Sequence, residues 1–470
     1  MYLSILFMQK IAIIGVGFTG TMTAVQLIRK SIIPLKIILI DGGSNINKGI
    51  AYSSYSNKHL LNVIASRMSA LPDLPDHFVD WVIQNQLYPT QTKETISDSF
   101  LPRNLYGEYL SSIWEEAKLL AIEKNIDIDY ENNNAIDICE ENSSLIIHLE
   151  NGKQLLADQC VLSTGNQIPG NPEIQNQNIF LSEKYFQNPW TKISVENTNS
   201  NLPVLIIGNG LTMVDSVIGL IESGFKGKII SISPHGFNIL RHKNYNPNYD
   251  ALINEWKKCE NKNLHELVIL VNRHIKKLRI SGLSPEPVID SLRSLTPEIW
   301  SGFSDTEKKI FMSRLRHMWG VARHRIPAET HEIIINLRKE KRLEIIAGKI
   351  TDIQETDEGI NMAYLDKKSG VHKVLSVAKI INCTGPQTDI SRSDNKLLKN
   401  LLLKGWIQQD ELKLGLLADS KTYRVIDGQQ RENSNIFTIG VNLKGVLWES
   451  TAVNEIRKQT KELATILLIR

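Results

Sequence analysis

The sequence is poor in cysteine, and its thiols are too far apart along the chain to act together. The four cysteines are Cys139, Cys160, Cys259 and Cys383, and no two of them form a Cys-x-x-Cys pair. This spacing excludes a dithiol redox centre and a zinc ribbon built on that motif. We expect the thiols to be small buried side chains, as in proteins of a reducing cytoplasm.

Strong net charge and long apolar runs are also missing. The 54 Lys and Arg residues nearly balance the 51 Asp and Glu residues, which leaves a formal charge of +3. Without a basic tail or an acidic block, the sequence argues against nucleic acid as a partner. The N-terminal segment has no basic region before an apolar run and no cleavage site, and the run from Ile11 ends at Gly15. The sequence therefore predicts no signal peptide, no membrane span and a cytoplasmic location.

What the sequence does contain is a pattern that occurs twice. A short β-branched run leads into glycines and then into a helical pattern, first at Lys10–Gly20 and again at Pro203–Met213. Each copy later reaches a strand that ends in Thr-Gly, at Thr164-Gly165 and at Thr384-Gly385. Such segments are typical of βαβ units. The pattern predicts an α/β fold with two Rossmann-like dinucleotide-binding domains.

The first glycine-rich turn has the features needed to hold a pyrophosphate. It reads Gly-x-Gly-x-x-Gly between a strand and a helix, and the residues predicted to bind a cofactor there are Gly15, Gly17, Phe18, Thr19 and Gly20. The glycines permit a tight turn and let phosphate approach the positive helix N-terminus. Asp41 ends the next strand, where a carboxylate accepts hydrogen bonds from ribose hydroxyls. An acid there favours FAD or NAD, whose ribose carries no 2′-phosphate.

The second turn is an imperfect copy that we assign to a nicotinamide coenzyme, which leaves FAD for the first. Met213 takes its third glycine position, and the residues predicted to bind the coenzyme are Gly208, Gly210, Leu211 and Thr212. The strand that follows ends without an acid, and cations stand at residues 241–243. This favours NADPH and leaves NADH open, because a charged surface loop has the same composition. Asp215 is predicted to be a helix N-terminal charge.

These assignments predict interleaved domains. Residues 8–195 and 386–470 are expected to form a discontinuous FAD-binding domain, and residues 202–385 an NAD(P)-binding domain inserted in it. Residues from about 245 to 342 are rich in helix formers at helical spacing, which predicts a helical insertion in the second domain. The polar residues 197–202 are the predicted linker.

Several unusual strings are spread over almost the whole chain, among them Gly49–Ser53, His59–Val63, Arg67–Ala70, Pro102–Gly107, Asn188–Trp190, Gly208–Asp215, Arg323–Arg325 and Gly445–Val453. With these strings the sequence resembles bacterial FAD/NAD(P)-binding proteins related to flavin-dependent N-hydroxylating monooxygenases. Some similar enzymes N-hydroxylate an amino acid such as aspartate. The sequence departs from them at Pro234-His235, where similar proteins often carry arginines.

The same strings supply the remaining predicted site residues. The predicted catalytic residues are Asn62, whose amide could reach the flavin ring, and Arg103, which could meet a phosphate or an acidic substrate. Arg323 and Arg325 are predicted to bind substrate, with a solvated helix face as the alternative. The N-terminus of a helix opening at Trp448 is expected to face the flavin. Further residues predicted to bind cofactor are His59, Met68, Thr164, Gly165, Gly440, Glu449 and Thr451; no metal site is predicted.

Together these features predict an FAD-dependent oxidoreductase, with NADPH or NADH as reductant. The favoured reaction is oxygenation by O2 of a small nucleophilic substrate, such as the amine of an anionic amino acid, with N-hydroxylation of aspartate as one example. A flavin dehydrogenase or oxidase without oxygen transfer is an alternative. A regulatory protein that binds the cofactors without turnover is another.

Overall fold

The computed structural model describes residues 8–43, 46–198, 201–243 and 249–469. Asn199 and Ser200 of the predicted linker lie outside these ranges, and so do residues 245–248 at the start of the predicted helical insertion. Within the described ranges, no helix combines the length and the apolar character needed to cross a membrane.

The strands are mostly short, as β-branched runs between polar and glycine-rich turns predict. In chain order they are β1 (Gln9–Ile14), β2 (Leu35–Ile40), β3 (Asp127–Glu131), β4 (Ala135–Glu141), β5 (Ser144–Leu149), β6 (Gln154–Ala157), β7 (Gln159–Leu162), β8 (Tyr185–Phe186), β9 (Val204–Ile207), β10 (Ile229–Ser233), β11 (Leu343–Glu355), β12 (Ile360–Asp366), β13 (His372–Val377), β14 (Lys379–Asn382), β15 (Arg424–Ile426) and β16 (Glu432–Thr438).

The helices either connect these strands or fill one long segment between β10 and β11. In chain order they are α1 (Phe18–Lys30), α2 (Gly49–Tyr52), α3 (His77–Gln84), α4 (Lys93–Ser97), α5 (Arg103–Glu123), α6 (Leu211–Glu222), α7 (Asp250–Lys258), α8 (Leu264–Ile280), α9 (Glu286–Ser291), α10 (Thr296–Gly302), α11 (Asp305–Ile310), α12 (Arg316–Arg323), α13 (Ala328–Lys339), α14 (Lys396–Leu403), α15 (Lys444–Leu447) and α16 (Val453–Leu467). A π-helical turn, Phe311–Leu315, joins α11 to α12.

The first sheet is centred on β1. Its order is β15-β16-β7-β1-β2-β3, and all neighbouring strands run parallel except β15 and β16. Helices α1, α5 and α16 pack on one face, whereas α14 and the antiparallel sheet β4-β5-β6 pack on the other. Because both faces are covered, Ile11, Ala12 and Ile13 of β1 are fully buried.

The second sheet has the order β13-β12-β11-β10-β9-β14-β8. Strands β11, β10, β9, β14 and β8 are parallel, and β12 and β13 continue the sheet as an antiparallel hairpin. Helices α6 and α13 cover one face. Strand β8 pairs with β14 in this sheet, although it lies inside the range 8–195 predicted for the first domain. The two sheets confirm the predicted α/β fold with two Rossmann-like units.

The segment between β10 and β11 is helical from α7 to α13 and has its own core. This core also includes Trp448 from the segment after β16. The Trp300 ring stacks on that of Trp448 with centroids 4.8 Å apart, and Trp300 Nε1 donates a hydrogen bond to the Gly445 carbonyl at 2.7 Å. The helical segment is therefore packed against the C-terminal part of the chain.

The last helix begins later than its sequence pattern predicts. The sequence predicted that the last helix opens at Trp448, but α16 begins at Val453, with Ala452 as its N-cap residue. Trp448 instead ends the short helix α15 with a φ of +58°, which interrupts any helix running through it. Packing of Trp448 against Trp300 accompanies this backbone geometry. The prediction that the helix opens at Trp448 was wrong.

Candidate active site

The first glycine-rich turn is closed so tightly that side chains are excluded at two positions. Gly15 has a φ of +93°, and a Cβ atom there would lie 2.3 Å from the Ser163 carbonyl oxygen. A Cβ atom at Gly20 would lie 1.9 Å from the Gly15 carbonyl oxygen. These approaches hold the start of α1 against the carboxyl ends of β1 and β7, the geometry that dinucleotide-binding turns require.

The N-terminus of α1 is left free to receive an anion. Its N-cap residue is Gly17, no side chain caps the helix, and its first turn contains no acidic residue. The first backbone N–H groups of a helix lack partners inside the helix. Since Phe18 and Thr19 open the helix, their amides face the position where a pyrophosphate binds in this type of turn.

Asp41 lies beside this turn at the end of β2. Its Oδ2 accepts a hydrogen bond from the Val16 amide at 2.6 Å, and its Oδ1 accepts one from the Gly43 amide at 2.7 Å. A carboxylate can accept about four hydrogen bonds, so two acceptor positions remain for ribose hydroxyls. The structure therefore holds the carboxylate in place and leaves part of its capacity free.

The remaining first-domain residues meet where β7 and β16 end. Gly440 has a φ of +75° and lies against Thr19, whose Oγ1 would be 2.9 Å from a Cβ atom at Gly440. Gly165, with a φ of +66°, opens toward free space. Asn442 donates hydrogen bonds to the Leu162 carbonyl at 3.2 Å and to Thr164 Oγ1 at 3.3 Å. Asn442 thus joins the two strand ends and points into the protein.

Three unpaired polar groups lie near the start of α16 in the described part of the chain. The sequence did not indicate two of them, and it indicated the third, Ser450, only as a possible helix cap. Ser450 Oγ, Asn454 Oδ1 and Arg457 Nε are buried atoms without a hydrogen-bond partner among the described residues. Arg457 Nη1 donates to the Ser69 carbonyl at 2.6 Å, next to the buried Met68. Buried polar groups in folded proteins almost always have partners. A bound polar ligand such as the ring edge of FAD would supply them, so these residues fit that cofactor.

The second turn repeats the geometry of the first. Gly208 has a φ of +109°, and a Cβ atom there would lie 2.2 Å from the Cys383 carbonyl oxygen. Helix α6 starts after the N-cap Gly210, with Leu211 and Thr212 in its first turn and neither a side-chain cap nor an acid. A Cβ atom at Gly210 would meet nothing within 4 Å. This turn therefore also leaves its helix N-terminus open to an anion.

Hydrogen bonds identify which residue replaces the ribose-binding acid in the second turn. The Gly15 amide donates to the Ile40 carbonyl, one residue before Asp41, at 2.9 Å. The Gly208 amide donates to the Ile232 carbonyl, one residue before Ser233, at 2.8 Å. Ser233 is thus the counterpart of Asp41. The carboxylate that would repel a 2′-phosphate is absent.

Two of the three cations at residues 241–243 have partners within the protein. Lys243 forms an ion pair with Glu286 at 2.9 Å. The His242 ring stacks on Phe100 with centroids 4.9 Å apart, and its Nε2 lies 3.0 Å from the backbone carbonyl oxygen of Asn62. Burial lowers the pKa of His242. The predicted catalytic residue Asn62 therefore contributes its carbonyl to a contact between the two sheet units.

His59, Arg103 and Asp215 meet in one contact, which we call the interdomain latch. Arg103 Nη1 donates to Asp215 Oδ2 at 2.6 Å, and its Nε donates to the Leu60 carbonyl at 3.0 Å. His59 Nε2 lies 3.0 Å from the Asp215 carbonyl oxygen, and its Nδ1 lies 2.7 Å from Ser54 Oγ. Burial lowers the pKa of His59. The latch ties the loop after α2 and the first residue of α5 to α6.

The latch gives Asp215 a role that differs from the predicted one. Asp215 is the fifth residue of α6, and the first turn of that helix has no acid. The prediction that it serves as a helix N-terminal charge was therefore wrong. Arg103, predicted to meet phosphate or substrate, has its guanidinium group engaged by Asp215 in this structure.

The predicted substrate-binding arginines lie in a second ionic contact. Arg323 donates to both carboxylate oxygens of Glu449, at 3.0 and 2.9 Å. Arg325 is only 2% exposed and is paired with Asp290. Glu449, predicted to bind cofactor, is thus the partner of Arg323, whereas Thr451 is exposed. The contact between Arg323 and Glu449 joins the helical segment to the C-terminal part of the chain.

Lys444 is a further charged residue that sequence reasoning missed. Its ammonium group lies 5.5 Å from the centre of the Trp448 ring, and it makes no ion pair with a carboxylate in the described parts of the chain. Burial, together with the nearby Arg316 charge, lowers its pKa. A single lysine after the turn at Gly440 does not indicate a functional residue in the sequence, because the sequence does not reveal that it is buried.

Comparison with known proteins agrees with this geometry. Residues 12–167 match the family described as FAD-NAD(P)-binding. The chain is similar in structure to the ornithine N-hydroxylase of Kutzneria sp. 744, solved with reduced FAD, NADP+ and L-ornithine (TM-score 0.66, 13% identity, 98% of this chain and 99% of that chain). It is also similar to L-lysine 6-monooxygenase of Pseudomonas syringae (TM-score 0.63, 15% identity, 97% and 98%).

A third similar structure is the bacillithiol disulfide reductase of Staphylococcus aureus (TM-score 0.56, 13% identity, 97% of this chain and 98% of that chain). No curated protein sequence gives a significant match. At these identities the structural likeness establishes the fold. The chain thus carries an FAD-NAD(P)-binding domain at residues 12–167, within a fold shared with N-hydroxylating flavin monooxygenases.

Proposed function

We propose that this protein is an FAD-dependent monooxygenase that uses NADPH or NADH and O2 to hydroxylate a nitrogen atom of a small amine or amino acid. The observation that carries the proposal is the likeness to two N-hydroxylases, whose TM-scores of 0.66 and 0.63 exceed the 0.56 of the disulfide reductase at nearly equal coverage. The fold alone would support only a flavoprotein in general.

The chain's own residues support binding of two dinucleotides. In this proposal, the open N-terminus of α1 and the carboxylate of Asp41 hold the pyrophosphate and ribose of FAD. The open N-terminus of α6, after Gly210, holds the pyrophosphate of the nicotinamide coenzyme. FAD, when bound, supplies hydride acceptance and O2 activation, so the protein needs no acid–base triad of its own.

The contacts between the two units position these parts relative to each other. The interdomain latch fixes α6, and with it the coenzyme, relative to the first sheet. The contact between Arg323 and Glu449 fixes the helical segment against the C-terminal part of the chain. A closed, dry site favours transfer of oxygen to the substrate over release of peroxide.

The cysteines argue against a disulfide reductase, although one such enzyme shares the fold. Burial raises the pKa of Cys383 to about 12 and raises that of Cys160 as well, which keeps both as unreactive thiols. No two cysteines stand close enough along the sequence to form a dithiol motif. A reductase of disulfides needs a thiolate that can attack.

For the substrate we propose an amino acid with a free carboxylate, of which aspartate is one candidate. Arg103, Arg323 and Arg325 have carboxylate partners within the protein. The support for an anionic substrate therefore comes from Lys444, which makes no ion pair among the described residues, and from the exposed Arg67. A substrate carboxylate would offset the charge of Lys444.

The test is purification of the protein followed by measurement of its flavin spectrum and its coenzyme oxidation with a panel of amines. We expect a yellow protein, NADPH oxidation stimulated by one class of amine, and an N-hydroxylated product equal to the coenzyme consumed. Coenzyme oxidation that yields only peroxide with every amine would indicate an oxidase. A protein that neither retains FAD nor is reduced by NAD(P)H would refute the proposal and favour a non-catalytic role.

A further inference from the structure

Four positive or ionisable side chains converge beyond the carboxyl end of β10. His235 stands two residues after Ser233, and its ring lies 4.5 Å from that of His317. His317 Nε2 lies 3.3 Å from Arg316 Nη2. Lys367, which follows β12, is close enough for its charge to act on His317. We call His235, Arg316, His317 and Lys367 the β10 cation cluster.

Among the described residues, no carboxylate forms an ion pair with this cluster, whereas Arg103, Arg323 and Arg325 all have such a partner. The undescribed internal residues 44–45, 199–200 and 244–248 contain no Asp or Glu that could supply one. The cluster is therefore a concentration of positive charge available to an anion from outside the chain.

The backbone brings this charge to the place where a coenzyme ribose would lie. In a Rossmann unit the residue that ends the second strand contacts the adenosine ribose, and here that residue is Ser233. Gly236 has a φ of +59°, and a Cβ atom there would lie 3.0 Å from the Ala347 side chain. This tight turn exposes Phe237, whose ring is parallel to that of His235 at 5.1 Å. The pair offers an aromatic face to a purine.

The helical segment contributes the other half of the cluster. Arg316 and His317 are the first two residues of α12, directly after the π-helical turn Phe311–Leu315. A π-helical turn inserts a residue into a helix and changes the direction of the side chains after it, and such turns are frequent at functional sites. Here the turn precedes the two residues that reach toward β10.

We propose that the β10 cation cluster recognises the 2′-phosphate of NADPH, and that protonation of His317 makes the preference for NADPH over NADH depend on pH. The proposal deepens the proposed function by naming the coenzyme and the residues that select it. It assigns this role to residues from three separate elements, in place of His242 and Lys243, which have partners within the protein.

The pH dependence follows from the charges that face His317. These are Arg316 beside it on α12, His235 from the loop after β10, and Lys367 from the turn after β12. Burial and these neighbours lower the pKa of His317 to about 4, so the free protein holds it neutral near pH 7. A phosphate dianion favours the protonated form. Binding of NADPH should therefore take up protons, and its affinity should fall as the pH rises above about 4, between the pKa of His317 in the free protein and its raised value in the complex.

The test uses the purified FAD-bound protein and calorimetric titration with adenosine 2′,5′-bisphosphate and with 5′-AMP, two ligands that differ only in the 2′-phosphate. We expect the bisphosphate to bind at least about tenfold more tightly, the scale of one charge-assisted hydrogen bond. Titration in two buffers of different ionisation enthalpy should show proton uptake for the bisphosphate and none for 5′-AMP. Equal affinities for the two ligands would overturn the site, and no proton uptake would overturn its pH dependence.

Three variants and one control assign the effect to residues. His235→Gln, His317→Gln and Arg316→Gln should each weaken bisphosphate binding by about tenfold and leave 5′-AMP binding unchanged. Arg314→Gln removes an exposed positive charge from the π-helical turn two residues away and should change neither. Retention of the full bisphosphate preference in all three variants would refute the assignment.

These titrations involve no turnover, so they separate this proposal from the proposed function. A bisphosphate preference without any N-hydroxylated product would leave the coenzyme site standing and remove the oxygenase. An N-hydroxylase with equal affinity for the two nucleotides would do the reverse.

Discussion

Removal of charge from the interdomain latch should slow flavin reduction without loss of FAD. Arg103 and Asp215 are 2.6 Å apart and have side-chain exposures of 19% and 16%. Exposed ion pairs contribute up to about 1 kcal/mol, and loss of one partner of a buried pair costs about 3 to 5 kcal/mol. For this largely buried pair we take about 2 kcal/mol, which corresponds to a roughly thirtyfold change in the equilibrium constant between the aligned and misaligned states. Asp215→Asn should therefore reduce the rate of flavin reduction by up to about that factor.

The assay is anaerobic stopped-flow reduction of the flavin by saturating NADPH, applied to Arg103→Gln, Asp215→Asn and the double variant. If the two residues act through each other, the double variant should be about as slow as either single variant. Lys58→Gln is the matched control. Lys58, next to His59, also forms an ion pair with α6 through Glu222, but the two charged groups are 3.9 Å apart and the Lys58 side chain is 64% exposed. Multiplied effects in the double variant, or equal slowing by Lys58→Gln, would refute the reasoning.

Three further predictions concern the turns and the buried histidines. Gly210→Ala should raise the KM for the coenzyme without loss of FAD, because the added Cβ atom meets no protein atom but enters the path of the pyrophosphate. The control Gly302→Ala, at a glycine with equally open surroundings, should leave the kinetics unchanged. An unchanged KM in Gly210→Ala would contradict the prediction. Asp41→Asn should weaken FAD binding by about tenfold, through loss of charge-assisted hydrogen bonds, measured by fluorescence of the released flavin; retention of full affinity would exclude Asp41 as a ribose ligand. Burial lowers the pKa of His59, His242 and His324 in the folded protein. The unfolded chain therefore binds protons more readily, and the free energy of unfolding, measured with urea, should be greatest above about pH 6.5 and decrease below it. A free energy of unfolding that increases at lower pH would show that these histidines do not control stability in acid.

The sequence was sufficient for the parts of the site that depend on local backbone geometry. Gly15 and Gly208 adopt positive φ beside a neighbouring strand, and only glycine satisfies both demands, so the residue type reveals the turn. The fold class followed from the same pattern, because few folds place glycines at this point between a strand and a helix. The acid at the end of β2 and the lack of one at the end of β10 could also be predicted, since each position lies a set number of residues after its glycine-rich turn.

The ionic partners could not be read, because they are set by tertiary packing. Arg103 and Asp215 are 112 residues apart, and Arg323 and Glu449 are 126 apart. An arginine in an unusual string is equally compatible with a phosphate ligand, a substrate ligand or an internal ion pair. Only the packed structure shows that these arginines have carboxylate partners. The prediction of where α16 starts failed for a similar reason. Trp448 packs against Trp300 of the helical segment and has a positive φ, and the sequence revealed neither.

The assembly of the first sheet from two distant segments has a consequence for synthesis of the protein. Strands β1, β2, β3 and β7 are made before residue 163, but β16, which pairs with β7, ends only at Thr438. During translation the second sheet, complete by Asn382, can form while one edge of the first is still unpaired. An exposed strand edge invites association with other chains. The slowest and most aggregation-prone stage of folding should therefore be closure of the FAD-NAD(P)-binding unit by the last 50 or so residues, a stage that FAD itself would favour by binding the completed form.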